Sequence, residues 1–126
     1  MAGGVIARQK TAGVEGKIPV TGQDATAEGL ANVLQGYQCG TVFKDTSLEA
    51  MAASDLAIAI INGDDTSSIA TGTVNDSELG KDVPSVLATP VWITADNVQD
   101  VVDAGQANAA DICKGIEKLC QKYGVS

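Results

Sequence analysis

Residues 45–63, DTSLEAMAASDLAIAIING, constrain the fold more than any other stretch of this chain. Asp45 or Thr46 suits a helix N-cap and Gly63 suits a stop, so the pattern predicts one long helix between them. The second half of that helix, LAIAII, is apolar nearly all round. Such a helix requires apolar partners on more than one side, and any fold proposed for the chain has to supply them.

The remaining elements alternate in type. AGGVIARQKTAG reads as a short helix ending at Gly13, KIPVTG as a strand, and ATAEGLANVLQG as a helix with Leu30, Val33 and Leu34 on one face and Gly36 as its stop. QCGTVF is a strand candidate. After the long helix, DDTSSIATGTVNDSELGKDV reads as a polar loop of about twenty residues, a length that in compact domains is often functional. SVLATPVWIT reads as a strand interrupted or edged by Pro90. Thr94 or Asp96 caps a short helix carrying Val98, Val101 and Val102, stopped at Gly105. A last helical pattern puts Ile112, Ile116, Leu119, Cys120 and Tyr123 on one face. Strands alternating with helices predict an α/β fold with a mostly parallel sheet flanked by helices. About three strands are visible, too few to bury the long helix, so the chain reads as part of something larger.

Composition excludes several functions. The 126 residues suit one domain, and the formal charge of −8 opposes nucleic acid and anionic lipid. With no histidine, the commonest general base and metal ligand is absent. No apolar run approaches the roughly 20 residues of a membrane span. The opening MAGGVIARQK lacks the apolar core of a signal peptide, which leaves a cytosolic protein or a piece whose export signal lies elsewhere. ATGTVND lacks the lysine and the strand-to-helix setting of a phosphate loop. The acidic cluster of a phospho-receiver domain cannot be assembled. No nucleophile–base pair points to an enzyme, and no cofactor or metal is implied.

In open α/β sheets, ligands bind beyond the carboxyl ends of the strands. Asp24 follows the first predicted strand and Lys44 the second, so the two share a rim if those strands are neighbours. A carboxylate and an ammonium there suit a polyol, because the carboxylate can accept from two adjacent hydroxyls. The plainer and more common role for Asp24 is to cap the following helix, beside an exposed lysine in a weak surface pair. Cys39, with no histidine to activate it, reads as a small buried hydrophobe. Trp92 reads as core or edge packing rather than a sugar platform. Cys113 and Cys120 lie seven residues apart, about 10.5 Å along a continuous helix. Either the helix is unbroken and both are thiols, or it breaks, most simply at Gly115, and they bond.

GGVIARQKTAGVEGKIPVTGQDATAEGLANVLQGYQCGTVFK, continued by GKDVPSVLATPVWITADNVQDVV, resembles the C-terminal part of the D-xylose-binding proteins of bacterial ABC sugar importers, members of the type I periplasmic binding protein family. The GQDA and TVxK motifs carry the resemblance. It implies two α/β lobes of three layers, joined by three hinge crossings, with the sugar between them. It also implies that Asp24 bonds sugar hydroxyls and that Lys44 sits at a hinge crossing and touches sugar; Gln23 receives no such role. Residues 1–44 would begin the C-terminal sugar lobe, 45–82 would belong to the other lobe, and 83–126 would return to the first. The ligand would be a monosaccharide such as xylose, the partner of the full-length protein an ABC permease, and the compartment extracytoplasmic. There the Cys113–Cys120 bond is favoured. The family's Asn-Asp-x-Thr turn before AGG, and the first lobe, are expected to be missing, and the long helix is expected to pair with another copy. The family reads TMTVYKP where this chain has CGTVFKD, so Phe43 replaces a tyrosine and Asp45 a proline. A standalone structural or interaction module is the competing possibility.

Overall fold

The computed structural model describes residues 1–126. In chain order the elements are α1 (Ala2–Ala12), β1 (Thr21–Gln23), α2 (Ala27–Leu34), β2 (Gly40–Phe43), α3 (Thr46–Asn62), β3 (Gly72–Asp76), β4 (Lys81–Ser85), β5 (Val91–Ile93), a 3-10 turn (Ala95–Asn97), α4 (Gln99–Asp103), α5 (Ala109–Cys113) and α6 (Glu117–Tyr123). They form two compact units, one of Met1–Lys44 with Pro90–Ser126, the other of Asp45–Thr89. No helix is long and apolar enough to cross a membrane.

The first unit is built on a sheet of order β1-β2-β5. β1 and β2 pair in parallel, with Thr21 opposite Gly40 and Gln23 opposite Val42. They are joined through α2, the right-sized crossover for a parallel pair. β5 lies antiparallel to β2, with Val42 opposite Trp92. A mostly parallel sheet was expected; one pairing of each kind is found. The chain reaches β5 from the second unit and not through a helical crossover, so nothing in that connection imposes a parallel course.

Leu30, Val33 and Leu34 of α2 meet Phe43, Ile93, Val98, Val101, Ile112, Cys120 and Val125 in one apolar core. Leu30, Ile93 and Ile112 are wholly buried, each worth roughly 1.5–3 kcal/mol relative to exposure. Two glycines permit close approaches in the sheet. A Cβ on Gly40 would lie 2.7 Å from Trp92 Cε2, and one on Gly22 would lie 2.5 Å from Gln38 Nε2. The Trp92 indole, on edge strand β5, thus covers Gly40 of the central strand while staying half exposed. Cys39, expected to be buried, is exposed. The alternation of the strand entry explains it, since Gln38 and Gly40 on either side are the inward residues.

The last helical stretch is broken. α5 ends at Cys113, Gly115 takes a left-handed φ of 79°, and α6 starts at Glu117. Gly115 N–H donates to Glu117 Oε1 at 2.8 Å. The Glu117 carboxylate also accepts from its own N–H, and these bonds hold its pKa below the usual range. The break brings Cys113 and Cys120 to a Cα separation of 5.8 Å, and they form a disulfide. Ile112 and Cys120 stay in the core on either side of it.

In the second unit, α3 begins and ends as its sequence requires. Asp45 accepts from Ser47 N–H at 2.9 Å, and Gly63 closes the helix at φ 74°. Residues 63–82, expected to be a loop, instead contain β3 and lead into β4 in an antiparallel hairpin, with Val74 opposite Val83. Asp76 Oδ1 organises its turn by accepting from Glu78 N–H at 2.9 Å and Leu79 N–H at 3.0 Å. Both strands carry polar residues on both faces and are largely exposed, so neither shows the apolar alternation that marks a strand. The long strand expected over SVLATPVWIT is split: Ser85 ends β4, Val91 begins β5, and residues 86–90 have no regular structure. Leu48, Met51, Ile58, Ile60 and Ile61 of α3 all stay at least half exposed, and Ala59 is the helix's buried residue.

Thiol titration of the native chain without reductant is expected to find Cys39 alone, and all three cysteines after reduction in denaturant. Reduction is expected to lower stability by roughly 2–3 kcal/mol, the entropy of closing so short a loop, read from urea unfolding with and without reductant.

Candidate functional site

Because β1 and β2 run in parallel as neighbours, their carboxyl ends open on the same rim. Asp24 stands just past β1 and Lys44 just past β2. Lys44 Nζ lies 3.3 Å from Asp24 Oδ1, with the Asp24 side chain 62% exposed and that of Lys44 38%. Gln23 Nε2 donates to the same oxygen at 3.3 Å. The Asp24 side chain as a whole stays largely open to solvent. An exposed ion pair of this kind adds at most ~1 kcal/mol to stability.

Asp24 does not cap α2. Thr26 does, its Oγ1 accepting from Gly29 N–H at 3.2 Å. Asp24 and Ala25 instead take left-handed backbone conformations, φ 75° and 43°, the only non-glycine residues in the chain to do so. Each such residue costs ~1–3 kcal/mol unless its surroundings enforce it. The neighbouring strand provides that enforcement. Asp24 N–H donates to Val42 O at 2.8 Å, and Ala25 N–H donates to the Thr41 hydroxyl at 3.3 Å. Ala25 is itself buried at 3% exposure. The turn therefore lifts the carboxylate out of the cap position and points it along the rim.

A cavity of about 700 Å³ opens beside this turn, lined by the first turns of α1 and α2 and the end of β1, among them Gln23, Asp24, Glu28, Asn32 and Gln38. Its size lies within the range of small-molecule sites. It reaches Asp24 but not Lys44, so the lysine borders it through the ion pair. Gln38 is buried at 3% exposure; its Nε2 donates to Gly40 O at 3.0 Å and its Oε1 has no partner. Phe43 lies in the core. Asp45 beside Lys44 spends an oxygen on Ser47, whose side-chain bond is the main cause of its lowered pKa.

The sequence alone paired Asp24 with Lys44 but missed Thr41 and Thr26. Thr26 was hidden by Asp24, an equally good cap two residues earlier. Thr41 has no local signal, because its role comes from standing opposite Gly22 in the β1–β2 register.

No protein-family model matches the chain. Individual proteins do. The chain is 37% identical over 101 residues to the D-xylose-binding periplasmic protein of Escherichia coli (strain K12), across 80% of this chain and 29% of that protein. It is 34% identical over 99 residues to the multiple sugar-binding periplasmic receptor ChvE of Rhizobium radiobacter, across 78% of this chain and 27% of that receptor. The multiple sugar-binding periplasmic protein SbpA of Azospirillum brasilense is 37% identical over 92 residues, 68% of this chain and 24% of that protein. The matched stretch belongs to the periplasmic sugar-binding proteins. It corresponds to their C-terminal part, and the chain spans less than a third of the length of each of these relatives. By name these relatives are binding proteins and not enzymes, and they are periplasmic, a compartment where a disulfide such as Cys113–Cys120 persists.

If the turn at Asp24 holds a strained backbone, substitutions there should separate strain from charge. Asp24→Gly is expected to match or exceed the parent in urea stability, since glycine adopts φ 75° at no steric cost. Asp24→Val is expected to lose about 1–2 kcal/mol, because a β-branched side chain resists a left-handed backbone. Equal losses from both would show that the turn is not strained.

Proposed function

We propose that this chain is the C-terminal part of an extracytoplasmic receptor that recognises a monosaccharide, xylose or a related pentose, for import by an ABC-type transporter. The observation that carries this reading is the exposed Asp24 carboxylate, tied through one oxygen to Lys44 and Gln23, at the shared rim of two parallel strands in a chain whose relatives are named for sugar binding. Oδ2 accepts from one sugar hydroxyl and Oδ1 from a second, while Lys44 donates to a hydroxyl or ring oxygen. Recognition is non-covalent. The permease would be met by the full-length receptor.

In this reading residues 1–44 and 83–126 form most of the sugar-facing lobe, a three-layer α/β/α unit of type I periplasmic binding protein architecture. Residues 45–82 belong to the opposite lobe, which the chain enters after Lys44. The division of the structure between Lys44 and Asp45 supports the first boundary, as does the apolar exposure of α3; the second boundary falls after Thr89 and not at 82–83, since β4 pairs with β3 through Ser85.

One wall of a cleft encloses little of a ligand, and tight sites enclose most of theirs. Titration of the 126-residue chain with xylose, ribose and glucose, followed by calorimetry and by amide shifts of residues 22–44, is expected to give a Kd of roughly millimolar, about −4 kcal/mol. Asp24→Ala is expected to abolish it. Micromolar binding would overturn the partial-cleft reading, and sugar shifts indifferent to Asp24→Ala would favour a structural module without a sugar site.

In the isolated chain, a second copy covers α3. Leu48, Met51, Ile58 and Ile61 share one face of the helix, with Ile60 on the other, and together offer several hundred Å² of apolar surface toward the about 800 Å² per partner of a stable interface. Light scattering is expected to give a mass that rises with concentration toward the dimer, and Ile58→Glu with Ile61→Glu to return a monomer. A monodisperse monomer at high concentration would refute this.

A further inference from the structure

The left-handed step at Asp24–Ala25 has no glycine to ease it and no bond of its own to hold it. Two groups of β2 hold it instead. The Val42 carbonyl takes the Asp24 N–H, which continues the ladder and would do so for any residue at position 42. The bond from Ala25 N–H is different in kind. It leaves the ladder and ends on a side chain, the Thr41 hydroxyl. Thr41 is 1% exposed and stands opposite Gly22 in the parallel register. From that position the Thr41 hydroxyl reaches the Ala25 amide, while the room left by Gly22 is taken by Gln38, whose Nε2 would lie 2.5 Å from a Cβ there. Were this bond lost, a buried N–H would be left without a partner, and the step could relax by rotating at residues 24 and 25. Rotation there swings the Asp24 carboxylate off the Lys44 ammonium.

We propose that Thr41 is a positioning residue for the sugar site: its hydroxyl locks the Ala25 amide and so holds the Asp24 carboxylate against Lys44. Its effect on sugar binding rests on the role proposed above for Asp24, but its effect on the Asp24–Lys44 pair does not. Thr41 touches no part of the proposed ligand. It acts by fixing one turn of backbone, the preorganisation that polar recognition in a shallow site depends on. Serine keeps the acceptor oxygen and valine keeps the shape without it, so the two substitutions separate the bond from the packing.

The test uses the 126-residue chain with Thr41→Val, Thr41→Ser and, in each background, Asp24→Asn. In the parent, the Ala25 amide is expected to be protected from hydrogen exchange, and an unprotected Ala25 amide in the parent would already overturn the proposal without any variant having to fold. In Thr41→Val its exchange is expected to rise roughly 2- to 10-fold, the effect of one lost hydrogen bond, with Thr41→Ser close to the parent. Asp24→Asn is expected to move the Lys44 Nζ resonance in the parent and in Thr41→Ser, and to leave it still in Thr41→Val, where the pair is already open. An equal displacement in all three backgrounds would overturn the positioning role. For xylose, Thr41→Val is expected to weaken binding by a similar 2- to 10-fold and Thr41→Ser to restore it; xylose binding unaltered in Thr41→Val but abolished by Asp24→Ala would also overturn it. Xylose binding indifferent to Asp24→Ala would sink the sugar reading alone, leaving the Lys44 resonance to decide the role of Thr41.

Discussion

The parallel pairing of β1 with β2 is the constraint on which the rest of the first unit depends. It fixes Gly22 opposite Thr41 and Gln23 opposite Val42, and a slip of one residue would turn every inward side chain outward. With the register fixed, α2 must cross one face of the sheet, and Leu30, Val33 and Leu34 reach Ile93 and Ile112 across it. The same register brings the Thr41 hydroxyl and the Val42 carbonyl to the two amides of the Asp24 turn. The core and the site are thus consequences of a single alignment, made by two strands of three and four residues.

Elements governed by local chemistry could be read from the chain directly. α3 was legible from Asp45 to Gly63 because a cap, a stop and a run of strong helix formers agree. α1 was legible to Gly13 for the same reason. The break after Cys113 was legible only as one of two alternatives, since spacing allowed a continuous helix and a bonded pair but not both. Elements governed by distant partners were not legible. The β3–β4 hairpin is polar on both faces, so the period that reveals a half-buried strand is absent. Cys39 was misplaced because its exposure follows from the pleat at the entry to a strand whose start lies two residues later than the sequence suggested.

The site was half legible. Asp24 and Lys44 could be placed on one rim from the rule for open sheets, and GQDA and TVxK pointed the same way through family resemblance. What the sequence could not show is the backbone between them. Asp24 is flanked by residues with ordinary preferences, and nothing in QDAT announces two left-handed residues in succession. That conformation is dictated by β2, whose Thr41 lies 16 residues after Ala25 in the chain but adjacent to it in space. The familiar tension between stability and function is therefore located here, in a turn that local propensity opposes and tertiary bonds impose.

The chain contains a single tryptophan. Trp92 pairs with Val42, lies over Gly40 and is 45% exposed. The protein's tryptophan fluorescence therefore comes from one indole on β5, packed over β2, the strand that leads into Lys44, and half open to water. Its emission colour and quenching report on the β2–β5 seam, giving the molecule a built-in optical gauge of the strand that positions its site.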